Sequence, residues 1–376
     1  MTGSPDLIIV GAGVVGAACA MYGAERGLGV LVLESNSPAS GVTSAGMGHI
    51  VVMDDSPAQL ELTAFSRSLL AGLAAELPAA VEYQRCGTLW IAASAEEMDD
   101  AKAKCALYQA QGLRAELLDP LALAEAEPEL RAGLAGALLV PDDGVLYQPA
   151  FTRWLLDRAV RAGAIVRTGV RVQGLSRHGV LTTEGPVAGG AVLVAAGVES
   201  AQLLPSLPIV PRRGHLAITT RVPGMVHHQL VELGYLQSAH SMTGASVAFN
   251  VQPRRTGQLL IGSSRELAGS DLAINRQILG RMLGRAVEFM PRLAQLDVLR
   301  VWTGLRPATP DKLPLIGCCP DRDTIWVAAG HEGLGITMAL GTAALVTALH
   351  AGEQPPVDAA PFRLDRIAQL AGAPNG

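Results

Sequence analysis

The chain has 376 residues, of which 49% are hydrophobic and 17% charged, and a formal net charge of −5 at pH 7. This composition supports large buried cores and excludes global disorder, and the acidic balance excludes a nucleic-acid binder, which needs a basic face. Aromatic residues make up only 4% while glycine numbers 42, so the interior relies on small residues and close backbone approaches, as in α/β proteins with glycine-rich turns.

Residues 6–10 (DLIIV) form a continuous apolar strand of the kind covered on both faces. Gly11 to Gly16 turns the chain into a helix running to about Gly27, and residues 29–34 (GVLVLE) form the next strand, giving a βαβ unit. The spacing predicts helices over 58–76 and 95–111, a strand over 86–92 and a short helix from Pro120. A further helix spans 149–162, with Pro149 in its first turn. Strands follow over 164–167, 171–175 and 191–194, the last running into the turn Ala195-Ala196-Gly197. From 210 to 265 short strands separated by turn residues indicate an antiparallel sheet. A helix over 271–290, a strand over 324–329 and a glycine-rich turn from Gly330 to Gly335 lead into the last helix. No internal repeat is evident.

Five cysteines with no CxxC pair make neither a zinc site nor a disulfide framework. No Lys or Arg precedes Arg26, so the first apolar run does not read as a secretory leader. The last apolar run, 336–349, is too short to cross a membrane. The expectation is a cytoplasmic protein without metal or transmembrane segment, open to peripheral membrane association through partners.

Gly11-Ala12-Gly13-Val14-Val15-Gly16 matches GxGxxG between a strand and a helix, and Glu34 lies 21 residues beyond Gly13, against roughly 20 in dinucleotide-binding units. Gly11 allows the tight turn, Gly13 a close pyrophosphate, and Gly16 tight helix–strand packing. The helix start at Val14 and Val15 offers N–H groups to phosphates, and Glu34, followed by Ser35, suits ribose hydroxyls. The fingerprint serves NAD and FAD alike. Two further glycine turns, Ala196-Gly197 and Gly330–Gly335, and the small-residue segment Thr43-Ser44-Ala45-Gly46-Met47 favour FAD, which threads through a domain. Val172, on a nearby strand, completes the expected cofactor lining.

The order DLIIVGAGVVGAACA, VLVLE, TSAGMG, LVAAG, GLRPATPDKLPLIG and WVAAGHEGLGITMALGTAAL resembles the D-amino-acid oxidase superfamily of FAD-dependent amine oxidoreductases, over nearly the whole chain. Within it, TSAGMGHIVVMDD and AGHEGLGITMALGTA look most like the β subunits of D-hydroxyproline dehydrogenase and opine oxidase, and like the hydrogen cyanide synthase flavoprotein subunit. The resemblance implies an α/β fold with a Rossmann-like FAD-binding domain (1–85, 140–210 and 300–376) and a β-rich antiparallel substrate domain (86–139 and 211–299). It implies oxidation of a D-amino or secondary imino acid to the imine by hydride transfer to flavin, within a heteromeric dehydrogenase whose other subunits carry electrons onward. FMN at a subunit interface is part of that pattern. Arg306, in Gly304-Leu305-Arg306-Pro307, is similar to the arginine that grips the substrate carboxylate. Gly333, Leu334, Gly335, Ile336 and Thr337 are similar to the element facing the flavin pyrimidine. His49, after TSAGMG, is a candidate lining the active site.

The chain also departs from the family pattern. Gly304 stands where covalent members carry a flavin-attaching Cys, implying noncovalent FAD. Asn250 replaces a Tyr found in glycine oxidase-like chains, and Gly333 lies near the place of a second carboxylate-binding Arg. Alternatives are a stand-alone glycine- or sarcosine-type oxidase using O₂, an opine oxidase subunit, and a structural FAD-binding subunit. His331-Glu332 lacks the second His of a zinc protease motif, and no GxSxG occurs. His215 reads as structural, Arg212-Arg213 and Arg254-Arg255 as solvated charge, and Asp54 and Asp55 as caps for the helix beginning near Pro57.

Overall fold

The computed structural model describes residues 4–234 and 245–367. A six-stranded sheet runs Leu315–Cys319, Arg322–Ala329, Ala191–Val194, Leu7–Val10, Val30–Glu34, Ile165–Thr168. All neighbours in it are parallel except the first pair. The central strand Leu7–Val10 is buried along its length, which is why it reads as an unbroken apolar run rather than an alternating one. Helices Val14–Glu25, Gln148–Arg161 and Gly335–His350 pack on one face through Ala17, Phe151, Leu155, Ala339 and Ala343. The other face is covered by a three-stranded antiparallel sheet, residues 172–188.

The second sheet has eight strands, in the order Val298–Ala308, Val210–Thr219, Leu259–Arg265, Ser246–Pro253, Gln229–Glu232, Thr88–Ala92, Gly136–Val140, Glu116–Leu118. Its neighbours are antiparallel apart from the parallel pair Gln229–Glu232 with Thr88–Ala92. Helix Arg276–Phe289 covers one face, with Phe289 stacked on Phe249 at 4.5 Å. The opposite face looks toward the first sheet. This is the D-amino-acid oxidase-like architecture of Rossmann-type sheet plus antiparallel sheet.

Several sequence expectations are corrected. Val298–Ala308 belongs to the eight-stranded sheet rather than with the rest of 300–376, because it pairs with Val210–Thr219 along almost its whole length. The helix expected from 271 begins at Arg276, because Asn275 Oδ1 accepts from the N–H groups of Gln277 and Ile278. Helix Pro57–Leu73 is capped by Ser56, not by Asp54 or Asp55. Asp54 instead pairs with buried Lys104. Arg212 and Arg213 are buried rather than solvated: Arg213 lies between Glu266 and Asp271. Arg254 pairs with Glu82 and stacks over Tyr147. The five cysteines are unbridged, and no helix among the described residues is long and apolar enough to cross a membrane.

Candidate active site

One cavity of about 920 Å³ lies between the two sheets, near the upper end of the roughly 300–1,000 Å³ usual for small-molecule sites. The three glycine turns meet on it. Gly11, Gly13, Val14 and Val15 line it, as do Glu34, Ser35, Ala196, Gly197, Val172 and the run Gly330 to Ile336. Gly16, expected among the cofactor-binding residues, does not line the cavity: a Cβ there would collide with the Gly11 carbonyl oxygen, so it serves the close packing of the helix start. Gly11 has φ of +105° and its missing Cβ would sit 2.7 Å from the Ala195 oxygen, so two of the glycine turns touch each other. A Cβ on Gly13 would meet only Thr43 Oγ1, at 3.3 Å, leaving a space at the helix start that a side chain would occupy.

Glu34 is fixed by the backbone. Its Oε2 accepts from Ala12 N at 2.8 Å and its Oε1 from Asn36 N at 2.8 Å. Thr43 Oγ1 accepts from Val14 N at 3.1 Å, so Thr43 acts on the helix start as well as lining the cavity. These residues fit FAD: a glycine cradle where a Cβ would intrude, an oriented carboxylate about 20 residues on, and small residues along the rest of the wall. Asn36, Ala39, Ser40 and Val170 also line the cavity but carry no sequence signature beyond their nearness to Glu34 and Val172.

The small-residue segment is held with unusual completeness. Five consecutive carbonyls each accept a hydrogen bond: Ala45 from Trp302 Nε1 (3.2 Å), Gly46 from Gln148 Nε2 (2.8 Å), Met47 from Gln252 Nε2 (2.8 Å), Gly48 from Leu146 N (2.9 Å) and His49 from Thr337 Oγ1 (2.9 Å). The donors come from the eight-stranded sheet, from the start of helix Gln148–Arg161 and the segment before it, and from the last helix, which no local pattern reveals. Thr337 itself is buried and, unlike its expected cofactor role, does not line the cavity. Its hydroxyl also accepts from Val51 N, so it ties the last helix to the strand carrying His49.

Arg306 and His49 both line the cavity. Arg306 Nη1 donates to the Ser264 carbonyl at 2.9 Å. The Ser264 hydroxyl meets His215 Nδ1 at 2.8 Å and accepts from His215 N, while His215 Nε2 accepts from Asn275 N. His215 is therefore structural, and it supports the strand segment that holds Arg306. Glu332, at φ +48°, lies in the adjoining turn with Arg265 Nε 3.3 Å from Oε1. Burial opposes its charge, but Arg265 and Arg306 outweigh it and hold its carboxyl below the usual range. Burial pulls the His49 imidazole down to about 4; Gln252 opposes this and the Arg306 charge adds to it. His49 is thus neutral near pH 7. His331, pulled down to about 3 by burial, meets Thr342 Oγ1 at 3.0 Å. No group of side chains suited to a metal occurs among the described residues.

A nucleotide cradle, a carboxylate at the second strand and an arginine facing the same cavity define a flavoprotein oxidoreductase. The profile of the FAD dependent oxidoreductase (DAO) family matches residues 6–349, and the chain belongs to that family. It is 30% identical over 382 residues to a glycine oxidase of Geobacillus kaustophilus, covering 97% of this chain and 98% of that one. It is 31% identical over 327 residues to a D-amino acid dehydrogenase of Xanthobacter autotrophicus, covering 82% and 74%. The crystal structure of glycine oxidase from Geobacillus kaustophilus superposes with a TM-score of 0.86 at 28% identity, over 96% of this chain and 99% of that one. That of L-proline dehydrogenase from P. horikoshii gives 0.88 at 23% identity, over 98% and 99%, and supports the fold.

Proposed function

We propose that this FAD-dependent enzyme oxidises a D-amino or secondary imino acid to its imine, as the β subunit of a multi-subunit dehydrogenase of the D-hydroxyproline type. The observation that carries the reading is the placement of Arg306, oriented by the Ser264 carbonyl and lining the same cavity as the small-residue segment. A fixed guanidinium pairs with a carboxylate in two-point fashion and so orients Cα. When bound, FAD supplies the hydride acceptor. Gly13, Val15, Glu34 and the turns at Gly197 and Gly330–Gly335 hold it. His49, neutral near pH 7, places no second positive charge beside the cationic imine that forms. The substrate nitrogen must itself be uncharged, so that its lone pair assists loss of the α-hydrogen.

The subunit assignment rests on TSAGMGHIVVMDD and AGHEGLGITMALGTA. In this reading electrons pass to other subunits, with FMN at an interface, in the cytoplasm or on a membrane surface reached through partners. The second reading, a stand-alone glycine- or sarcosine-type oxidase, is favoured by the full-length likeness to a glycine oxidase. Asn250, in place of the Tyr of glycine oxidase-like chains, weighs against glycine itself. An anaerobic panel of D-proline, cis-4-hydroxy-D-proline, sarcosine, glycine and an opine, read by flavin absorbance, tests the substrate class. Rapid reoxidation by air would favour the oxidase. Slow reoxidation in air with fast turnover on an artificial acceptor would favour the dehydrogenase. No bleaching by any compound would leave only a structural flavoprotein.

A further inference from the structure

The cavity wall carries a second polar feature besides Arg306, which reaches it at His49. Asn250 pairs in register with Val231, which pairs with Trp90 on the next strand. Gln252 and Gln229 follow one step along, flanking the Leu230–Val251 pair. Asn250, Gln252, Gln229, Trp90 and His49 all line the cavity. Asn250 is 6% exposed, and Gln252 and Gln229 are 1% exposed. Three of the five have a buried polar atom with no hydrogen-bond partner, Asn250 Oδ1, Gln229 Oε1 and Trp90 Nε1, while Gln252 Oε1 and His49 Nε2 make no bond of normal geometry but their side chains lie close enough to interact with each other.

Such atoms are rare in folded interiors, because a buried polar group without a partner is costly. Asn250, Gln229 and Trp90 place three of them on one wall. The orientation of Gln252 is fixed by its own bond, since Nε2 donates to the Met47 carbonyl and leaves Oε1 on the side of His49, which lines the cavity. The surrounding wall is apolar, with Leu216, Leu260 and Val231. The patch contains acceptors and a donor but no carboxylate, ammonium or guanidinium, so it suits a neutral group that both donates and accepts.

Resting on the amino- or imino-acid reading above, we propose that Asn250, Gln252 and Gln229 are the specificity-determining residues of this cavity. They select substrates bearing a hydroxyl or similar neutral hydrogen-bonding group beyond Cα. An unsubstituted substrate displaces the water on this wall and returns no hydrogen bond, so it is rejected.

Two matched pairs test this on the FAD-loaded protein: cis-4-hydroxy-D-proline against D-proline, and D-serine against D-alanine. The expected result is a preference of about 100-fold in the rate constant per molar for the hydroxylated member of at least one pair, falling below about 10-fold in Asn250→Leu and in Gln229→Met. The ratio is read rather than the absolute rate. Bound-flavin content, measured on each variant, identifies any that fails to fold, and the other then serves. Binding of the non-oxidisable acids 3-hydroxypropionate and propionate, followed by calorimetry, gives a readout independent of turnover and should show the same loss of preference. Equal rates for both members of both pairs in the wild type, or a preference unchanged in the variants, overturn the proposal and leave the amino-acid reading standing. Failure of every compound, including the wider panel, to bleach the flavin defeats that reading and this proposal together.

Discussion

A Cβ on Gly214 would fall 2.7 Å from Cζ of Arg306. The two residues lie on neighbouring strands, with Gly214 opposite Gly304 and Arg212 opposite Arg306, and the bare glycine is the surface on which the guanidinium rests. Gly214→Ala should therefore move Arg306 without touching the nucleotide cradle. The expected effect is a loss of about 10–100-fold in the rate of flavin reduction by an amino-acid substrate, with FAD occupancy unchanged. Stopped-flow absorbance and flavin content measure the two sides. Undiminished reduction would mean the guanidinium has no positional requirement.

Replacing Arg306 itself asks what the guanidinium contributes. A charge-assisted pair lost by truncation costs about 2–5 kcal/mol, so Arg306→Ala should lower kcat/KM by about 30-fold to 5,000-fold. Arg306→Lys should retain the charge but lose the planar grip and fall between the two. The penalty should be far smaller for an amine lacking the carboxylate. Near wild-type reduction of both variants by an amino acid would make Arg306 structural and remove the main support for the substrate class.

The nucleotide half of this molecule was legible in the sequence because its constraints are local. Gly11, Gly13 and Gly16 serve one turn, and Glu34 ends the next strand. The substrate half was less legible, because its constraints cross the chain. Gln252 acquires meaning from the Met47 carbonyl and Trp302 from Ala45, more than 200 residues away in each case. Strand Val298–Ala308 was missed because its apolar residues are interrupted by Arg300, Gly304 and Arg306, all of which line the cavity. Arg212-Arg213 looked solvated because charge in a sequence carries no sign of Glu266, buried beside Arg213, or of the exposed Asp271 that pairs with the same guanidinium.

The glycines of the fingerprint should fail in different ways. Gly13→Val adds a side chain facing the cavity, with only the end of Thr43 nearby; it should yield folded protein without bound FAD. Gly16→Val drives a Cβ into the Gly11 carbonyl and should reduce the yield of folded protein. Circular dichroism with flavin content separates these outcomes. Normal flavin occupancy in Gly13→Val would contradict the phosphate-side placement of Gly13.

FAD should be released, not retained, when the protein is precipitated with acid. A Cβ on Gly304 would lie 2.5 Å from Cβ of Ala45, so the position where covalent relatives carry a cysteine has no room for one in this backbone. Yellow colour remaining in the washed pellet would show a covalent bond elsewhere.

Acid should destabilise the fold through His331. Burial lowers its imidazole to about 3 from a reference of 6.5, so the folded state favours the neutral ring. This contribution is fully present above pH 6.5 and is lost as pH falls toward 3, at up to about 1.4 kcal/mol per pH unit. Asp143 acts in the opposite sense. Burial raises its carboxyl to about 6, with Arg67 opposing, so its folded state favours the protonated acid and is relieved as pH falls from 6 toward 3.8. A wild-type stability profile alone therefore mixes slopes of opposite sign, with buried His49 and His215 acting in the same sense as His331. His331→Asn isolates one of them: it removes the titrating ring while keeping a polar group near Thr342 and leaves Asp143 in place. Urea unfolding of both proteins between pH 7 and 5 should show the wild type losing about 1–2 kcal/mol more than the variant over that range. Parallel profiles would mean that the His331 ring reaches water readily enough to be protonated in the folded state.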